Sequence, residues 1–390
     1  MGYDKKFLIC ILQHRNSGYA ITSLLHLIYA LHDEPRLRSE CKIVIAASSR
    51  GDYSLKKMVD VFSKMFDIDI FECNPSYPDK IREVIATYPP DRFEYFIKND
   101  EDVFLSPDSW RKLLQTAPNV LKENDIATVS LSTGIPTWSY FAKTFFDSNT
   151  YKKIFNTLTQ EKLPENLWGN DYSSVNAVIG TMTTWDEERY WHTVNTLPYD
   201  YKGIHPVRLS LRYSSAINEA IIATYTHFLR HESGTTFEEL FDRYFCNSFF
   251  IMNYCTYEKV FNNKSFYIDA FDEIPINRHL QHTGASLRVL RDSLGIHVMY
   301  NTAYQQKAQY RGKKYYGFFL EDLYTEHYCN AIRKALEGIT GKELPFSFKK
   351  ESRREYFRKA LSTKPLYQKI RSFFAKNNAL KQVYRTLKRY

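Results

Sequence analysis

Phe7 to Leu12 is an unbroken apolar run of strand length, and the residues after it, Ala20 to His32, repeat apolar positions at helical spacing. The pair of signals then recurs. Ile43 to Ala47 reads as a strand and Ser54 to Phe66 as a helix; Ile68 to Glu72 and Asp79 to Thr87 repeat the pair, and Phe93 to Lys98 is a fourth strand. Strands alternating with helices of roughly ten to fifteen residues predict right-handed βαβ units and a mostly parallel sheet, an α/β fold. From about Thr137 to Lys264 the alternation stops and helix-leaning, aromatic-rich sequence takes over; it resumes near Phe266 to Ile268 and runs to about His297. The pattern therefore divides the chain into half of an α/β core (1–136), an insertion (137–264), the rest of the core (265–345) and a tail (346–390).

The polar residues cluster where the predicted strands end. The first strand runs into Gln13, His14, Arg15 and Asn16, the second into Ser48, Ser49, Arg50, Gly51 and Asp52, and the fourth into Asn99, Asp100, Glu101 and Asp102. Ligands of parallel sheets bind outside the carboxyl ends of the strands, so three such ends in one half-domain outline a single cleft. Asp100 and Asp102, two apart after a strand, offer hard oxygen ligands that suit Mg²⁺ or Mn²⁺ with positions left open for diphosphate oxygens. A cation so placed neutralises charge that develops on a diphosphate leaving group. An Asp-x-Asp turn is also common as a solvated loop.

Composition narrows the class. Of the 390 residues 44% are hydrophobic and 25% charged, as in ordinary globular proteins, whereas 16% aromatic is high. Trp138, Trp168, Trp185 and Trp191 all fall in the insertion, where aromatic rings either stack on sugars or pack a core. Asp171, Asp186, Glu187 and His205 are further polar candidates there. The six cysteines are widely spaced with no CxxC pair, which predicts reduced thiols in a cytosolic setting. No window is apolar enough for a membrane span, and the N-terminus does not read as a signal peptide.

The net charge of +9 is concentrated in the tail, where residues 346–390 hold 14 Lys or Arg against 2 Glu. Leu366, Ile370, Phe373, Leu380, Val383, Tyr384 and Leu387 recur there at helical spacing, with basic residues on the other faces. Such a helix suits an anionic membrane surface, each basic residue contributing about 1 kcal/mol. A helix packed on the body, or a nucleic-acid contact, is the alternative. Nucleic-acid proteins more often carry their basic face on the folded domain, so the expectation is a cytoplasmic protein held peripherally on the inner membrane face.

Two segments carry a family resemblance. FEYFIKNDEDVFLSPDSW resembles the surroundings of the DxD motif of GT-A glycosyltransferases, and FLICILQHRNS and CKIVIAASSRGDYS resemble the first two strands of the family 2 type. Downstream, DEIPINRHLQHTGASLRVLRDSLGIH is similar to the family's acidic pair opening a helix (Asp272, Glu273), followed by Ile276, Leu280, Gly284 and a later histidine, His297. Phe271 supplies the aromatic residue that precedes the pair. The resemblance implies a GT-A fold, that is, a Rossmann-like, mostly parallel sheet flanked by helices. It implies an inverting transfer from a nucleotide-sugar, a UDP-sugar being favoured, to a glycan or lipid-linked glycan. Gln13, His14, Arg15, Asp52, Arg82, Asp100 and Glu101 would surround the donor; Asp100, Asp102 and His297 would hold Mn²⁺ or Mg²⁺; and Glu273 or Asp272 would be the general base. Three departures stand out: Ala47 occupies the position of a family aspartate, the acidic pair is Asp-Glu rather than Glu-Asp, and Pro275 lies in the first helical turn, where its missing N–H costs nothing.

The chemistry asks for the same groups. An inverting transfer needs a carboxylate within hydrogen-bond reach of the acceptor hydroxyl. Acidic residues at a helix start also complement the helix dipole without any catalytic role. Two other function classes compete. A nucleotidyltransferase acting on sugar phosphates would show a Gly-rich phosphate loop, and QHRNSGYA has only Gly18; a non-catalytic glycan-binding protein would keep the fold without turnover.

Overall fold

The computed structural model describes residues 3–14, 17–48, 53–73, 76–134, 136–159, 166–167, 170–171, 211–241, 244–263, 273–298 and 313–344. The elements run β1 (Lys5–Gln13), α1 (Ser17–Leu31), α2 (Pro35–Glu40), β2 (Cys41–Ala47), α3 (Tyr53–Phe62), β3 (Ile68–Glu72), α4 (Tyr77–Thr87), β4 (Phe93–Asp100), β5 (Val103–Leu105), α5 (Pro107–Val120) and β6 (Ile126–Thr128). They continue with α6 (Trp138–Phe145), α7 (Ser148–Thr159), β7 (Asn166–Leu167), β8 (Asn170–Asp171), α8 (Leu211–Ala223), α9 (Tyr225–Arg230), β9 (Phe237–Leu240) and β10 (Phe249–Asn253). The last are α10 (Tyr254–Asn262), α11 (Glu273–Thr283), β11 (Leu287–Leu290), β12 (Gly295–His297) and α12 (Lys313–Thr340).

Eight strands form one sheet in the order β3-β2-β1-β4-β10-β6-β11-β9. The pairs among β3, β2, β1 and β4 are parallel, as is β11 with β6, while β10 and β9 run against their neighbours. This is the mostly parallel α/β sheet that the sequence predicts. The continuous apolar runs follow from it, because a parallel strand covered on both faces has no polar side. Along β1, Phe7, Ile9 and Ile11 join the core under α1, α3 and α5, while Leu8, Cys10 and Leu12 join the core under α4, α10 and α11. A third cluster, with Phe104, Trp138, Phe228, Ile296 and Tyr328, lies beside the short β5–β12 pair.

Three local expectations change. β4 extends two residues further than predicted, because Asp100 pairs with Leu12 of β1 and Asn99 with Phe249 of β10. α3 stops at Phe62, and the chain turns so that Phe66 packs back beside it in the core. The span 137–264 is not wholly a helical insertion: β9 and β10 lie inside it, and β10 sits at the centre of the sheet between β4 and β6. Pairing at such sequence separation leaves no local trace in the chain. The strand expected at Phe266 to Ile268 falls outside the described residues.

The chain separates into two compact units, Met1–Phe348 and Lys349–Tyr390. The second, which holds most of the basic tail, lies outside the described residues. Among the described residues no helix is long and apolar enough to cross a membrane. All six cysteines are free. Burial pushes the Cys10 thiol up to about 12.

Candidate functional site

The connection order places a crevice between β1 and β4, since β1 leads to β2 on one side and β4 closes the other. Their ends meet there, with Leu12 opposite Asp100 and the Glu101 amide donating to the Leu12 carbonyl at 3.3 Å.

The acidic loop splits into two parts. Asp102 lies against the imidazole of His297, with Oδ1 and Nε2 3.6 Å apart and both side chains largely buried. β12 carries His297 there by pairing with β5, and the Val298 amide donates to the Asp102 carbonyl at 2.9 Å. The His297 backbone is pinned as well: its N–H donates to Ser132 Oγ at 3.0 Å and its carbonyl accepts from Thr133 Oγ1 at 3.3 Å. Gly295 lets β12 approach this closely, because a Cβ there would stand 2.5 Å from Leu131 Cδ2. Asp100, in contrast, is bound to the ammonium of Lys98, at 2.9 Å through Oδ1 and 3.1 Å through Oδ2. Glu101 is buried.

An oxygen and a nitrogen 3.6 Å apart can both reach one ion at the ~2.1 Å typical of Mg²⁺ ligands. The other ring nitrogen of His297, Nδ1, is buried and has no hydrogen-bond partner among the described residues. No group of three or more His, Cys, Asp or Glu side chains among the described residues could hold a metal. A cation held by these two side chains alone would take the rest of its shell from water or phosphate oxygens.

Glu273 opens α11, as the resemblance implies, and the helix ends at Thr283 before Gly284, whose φ of +62° is the left-handed turn that glycine adopts without strain. The Glu273 carboxylate is held by two donors from the loop before β10: the Tyr244 hydroxyl on Oε2 and the Cys246 thiol on Oε1, the latter at 3.3 Å. That loop is tied to the same helix by Asn277, which accepts from the Phe245 amide at 2.7 Å and donates to the Phe245 carbonyl at 2.9 Å. It is tied to β4 too, through the Asp100 amide on the Ser248 carbonyl at 2.9 Å and Lys98 on the Asn247 carbonyl at 2.9 Å. The loop that binds Glu273 is thus also bound to the end of β4.

On the other side of the crevice Gln13 is buried, and its Oε1 accepts from the Ser48 amide at 2.9 Å, joining the ends of β1 and β2. His14 is exposed at the rim. Lys80 of α4, which sequence reasoning missed, is fully buried and donates to the Gln13 carbonyl at 2.6 Å and to Ser48 Oγ. Burial lowers its pKa, offset in part by the charges of nearby groups that include Glu101 and Asp100. Arg82, the basic residue expected at the donor on this helix, is exposed, with its guanidinium 6.0 Å from the centre of the Phe261 ring. Helical spacing buries Lys80, Ile81 and Val84, and Arg82 pairs in solvent with Asp79 at 2.6 Å. Arg15, Asp52 and Asp272 lie outside the described residues, as do Trp168, Trp185, Trp191, Asp186, Glu187 and His205. Trp138 is fully buried and stacks near Phe155, so it packs the core.

No protein family and no curated protein matches the sequence. Similar solved structures include the following three. They are GalNAc-T7 with UDP, GalNAc and Mn²⁺ (9% identity over 88% of this chain and 59% of that one, TM-score 0.39) and residues 1–349 of S. aureus TarS (12% identity over 91% and 79%, TM-score 0.33). The third is the apo form of the bifunctional glycosyltransferase WbbM (13% identity over 75% and 39%, TM-score 0.33). The chain spans 59% of the GalNAc-T7 chain.

Proposed function

We propose that this chain is an inverting glycosyltransferase, moving a sugar from a nucleotide-sugar, a UDP-sugar in preference, to a glycan or lipid-linked glycan. The observation that carries this reading is the meeting of Asp102 and His297, 3.6 Å apart, at the switch point of the sheet. Glu273 supports it, because the loop that binds its carboxylate is also bound to the end of β4. Asp102 and His297 would hold Mn²⁺ or Mg²⁺, which when bound supplies charge neutralisation to the departing diphosphate. Gln13, with the buried Lys80 behind it, shapes the part of the crevice where the nucleotide lies. Glu273 accepts the proton of the acceptor hydroxyl as that oxygen attacks the anomeric carbon. Tyr244 and Cys246 each occupy one of its oxygens and so fix the direction of the carboxylate. The basic tail 346–390 fits an anionic membrane surface, which would bring the chain to a lipid-linked acceptor on the cytoplasmic face.

The test is thermal stabilisation by UDP-, GDP- and dTDP-sugars with Mn²⁺, followed by turnover, since a ligand that binds only the folded state raises its apparent stability. A UDP-sugar is expected to stabilise the protein, and Glu273→Gln to keep that stabilisation while losing turnover. Undiminished turnover in Glu273→Gln would move the base to another residue.

A further inference from the structure

We propose that His26 of α1 is a positioning residue for Asp102 and His297: it anchors the outer edge of β5 through the Leu105 carbonyl and so sets where the two side chains meet. The proposal rests on the reading of that pair as the cation site, and it adds a residue that touches neither the ion nor the donor.

β5 begins directly after Asp102 and pairs with β12, which ends at His297, in a two-stranded ladder apart from the eight-stranded sheet. Whatever anchors this ladder therefore governs both side chains. Across it the Val298 amide donates to the Asp102 carbonyl and the Ser106 amide to the Leu294 carbonyl, both at 2.9 Å. Residues of an antiparallel strand alternate between bonding the partner strand and facing away from it, so the Leu105 carbonyl points away from β12. There it accepts from Nδ1 of His26 at 2.9 Å. β12 is held on its own far side, where the Gly295 amide donates to the Ser130 carbonyl at 2.7 Å and the Gly295 carbonyl accepts from the Ser132 amide at 2.8 Å. His26 is the matching anchor for β5. It is fully buried among rings: the imidazole stacks on Phe104 of β5, with centroids 5.6 Å apart and planes 14° apart, and Tyr225 and Phe228 of α9 stand edge-on to it at 6.0 Å. A carbonyl only accepts, so Nδ1 carries the proton; Nε2 then accepts from the Tyr225 hydroxyl at 2.7 Å, and that bond fixes the tautomer that serves Leu105.

Mn²⁺ binding to the full chain, followed by electron paramagnetic resonance of the free ion with and without UDP, tests this without any turnover. In His26→Gln the amide reaches the place of Nε2 and keeps a partner for Tyr225 but withdraws the donor from Leu105, and the Mn²⁺ Kd should weaken about tenfold or more. In His26→Asn an amide N–H stands near the place of Nδ1 and keeps that donor, so the Kd should stay within about threefold of wild type. Ile43→Ala, a buried truncation in β2 away from the ladder, controls for stability: it should lower the urea midpoint yet leave the Kd within about twofold. An unchanged Kd in His26→Gln overturns the proposal, as does a loss in His26→Asn or Ile43→Ala as large as that in His26→Gln. If His26→Asn fails to fold, the comparison of His26→Gln with Ile43→Ala decides. A wild type that binds no Mn²⁺ in either condition ends the cation reading, and this proposal with it, a result distinct from those of the variants.

Discussion

Asn277→Ala is the substitution through which stability and the candidate base can be examined together. Asn277 is fully buried in α11, and its side-chain amide makes three bonds: it accepts from the Phe245 N–H and donates to the carbonyls of Phe245 and Glu273. Phe245 is itself buried, so truncation strands one backbone donor and one acceptor away from water. Each such group costs ~1–3 kcal/mol, and with partial relaxation by entering water the expected loss is about 3 kcal/mol. The Glu273 carbonyl is only partly buried, so water can replace its bond. Urea unfolding of the wild type and the variant measures the difference. Asn277→Asp should be no better, because its carboxylate faces two carbonyls that need donors. The loop that Asn277 clamps carries Tyr244 and Cys246, so the variant should also lose turnover while donor-induced stabilisation persists. A loss below about 1 kcal/mol would refute the idea that Asn277 is what holds the loop to the helix.

Lys80→Met should reduce stabilisation by donor and Mn²⁺, because it unties the ends of β1 and β2, while Arg82→Ala should leave stability within about 0.5 kcal/mol of wild type and donor binding unchanged. Thermal shift with the best donor checks both, and the reverse ranking would reinstate Arg82. His26 donates through Nδ1 to the Leu105 carbonyl at 2.9 Å and accepts from the Tyr225 hydroxyl at 2.7 Å, and burial lowers its pKa to about 3. The unfolded chain therefore takes up a proton near pH 6.5 that the folded chain refuses, so stability present above that pH falls on acidification, by ~2 kcal/mol between pH 6.5 and 5. Burial lowers the pKa of His279 as well, with the same sign. His26→Gln should be less stable at pH 7 and lose less between pH 7 and 5 in urea unfolding; an unchanged pH slope would contradict the assignment. The buried thiols of Cys10, Cys41 and Cys329, all raised by desolvation, should resist alkylation at pH 8 in the native protein and react once it unfolds.

The first half of the core was legible because its strands are parallel and covered on both faces, so β1, β2 and β4 each appear as an apolar run with a polar end. Motif spacing singled out Asp102, Glu273 and His297, and the structure brings Asp102 and His297 within 3.6 Å of each other. β10 was not, because Phe249–Asn253 lies in aromatic-rich sequence and its place depends on partners more than a hundred residues away. Lys80 and Lys98 were passed over for the opposite reason: a lysine inside an apolar face reads locally as a solvent position, and only the assembled strand ends provide the acceptors that make its burial tolerable. Arg82, conspicuous in the sequence, is satisfied by Asp79 three residues before it on the same helix.

On the proposed function, Asp102 and His297 together hold a divalent ion at the donor's diphosphate. Crystals grown with UDP and Mn²⁺, with data collected at the manganese edge, test it directly. An anomalous peak is expected within ~2.0–2.3 Å of both Asp102 Oδ1 and His297 Nε2, in contact with the diphosphate. UDP bound in the crevice with no peak beside these two side chains, or with the ion held elsewhere, would contradict it.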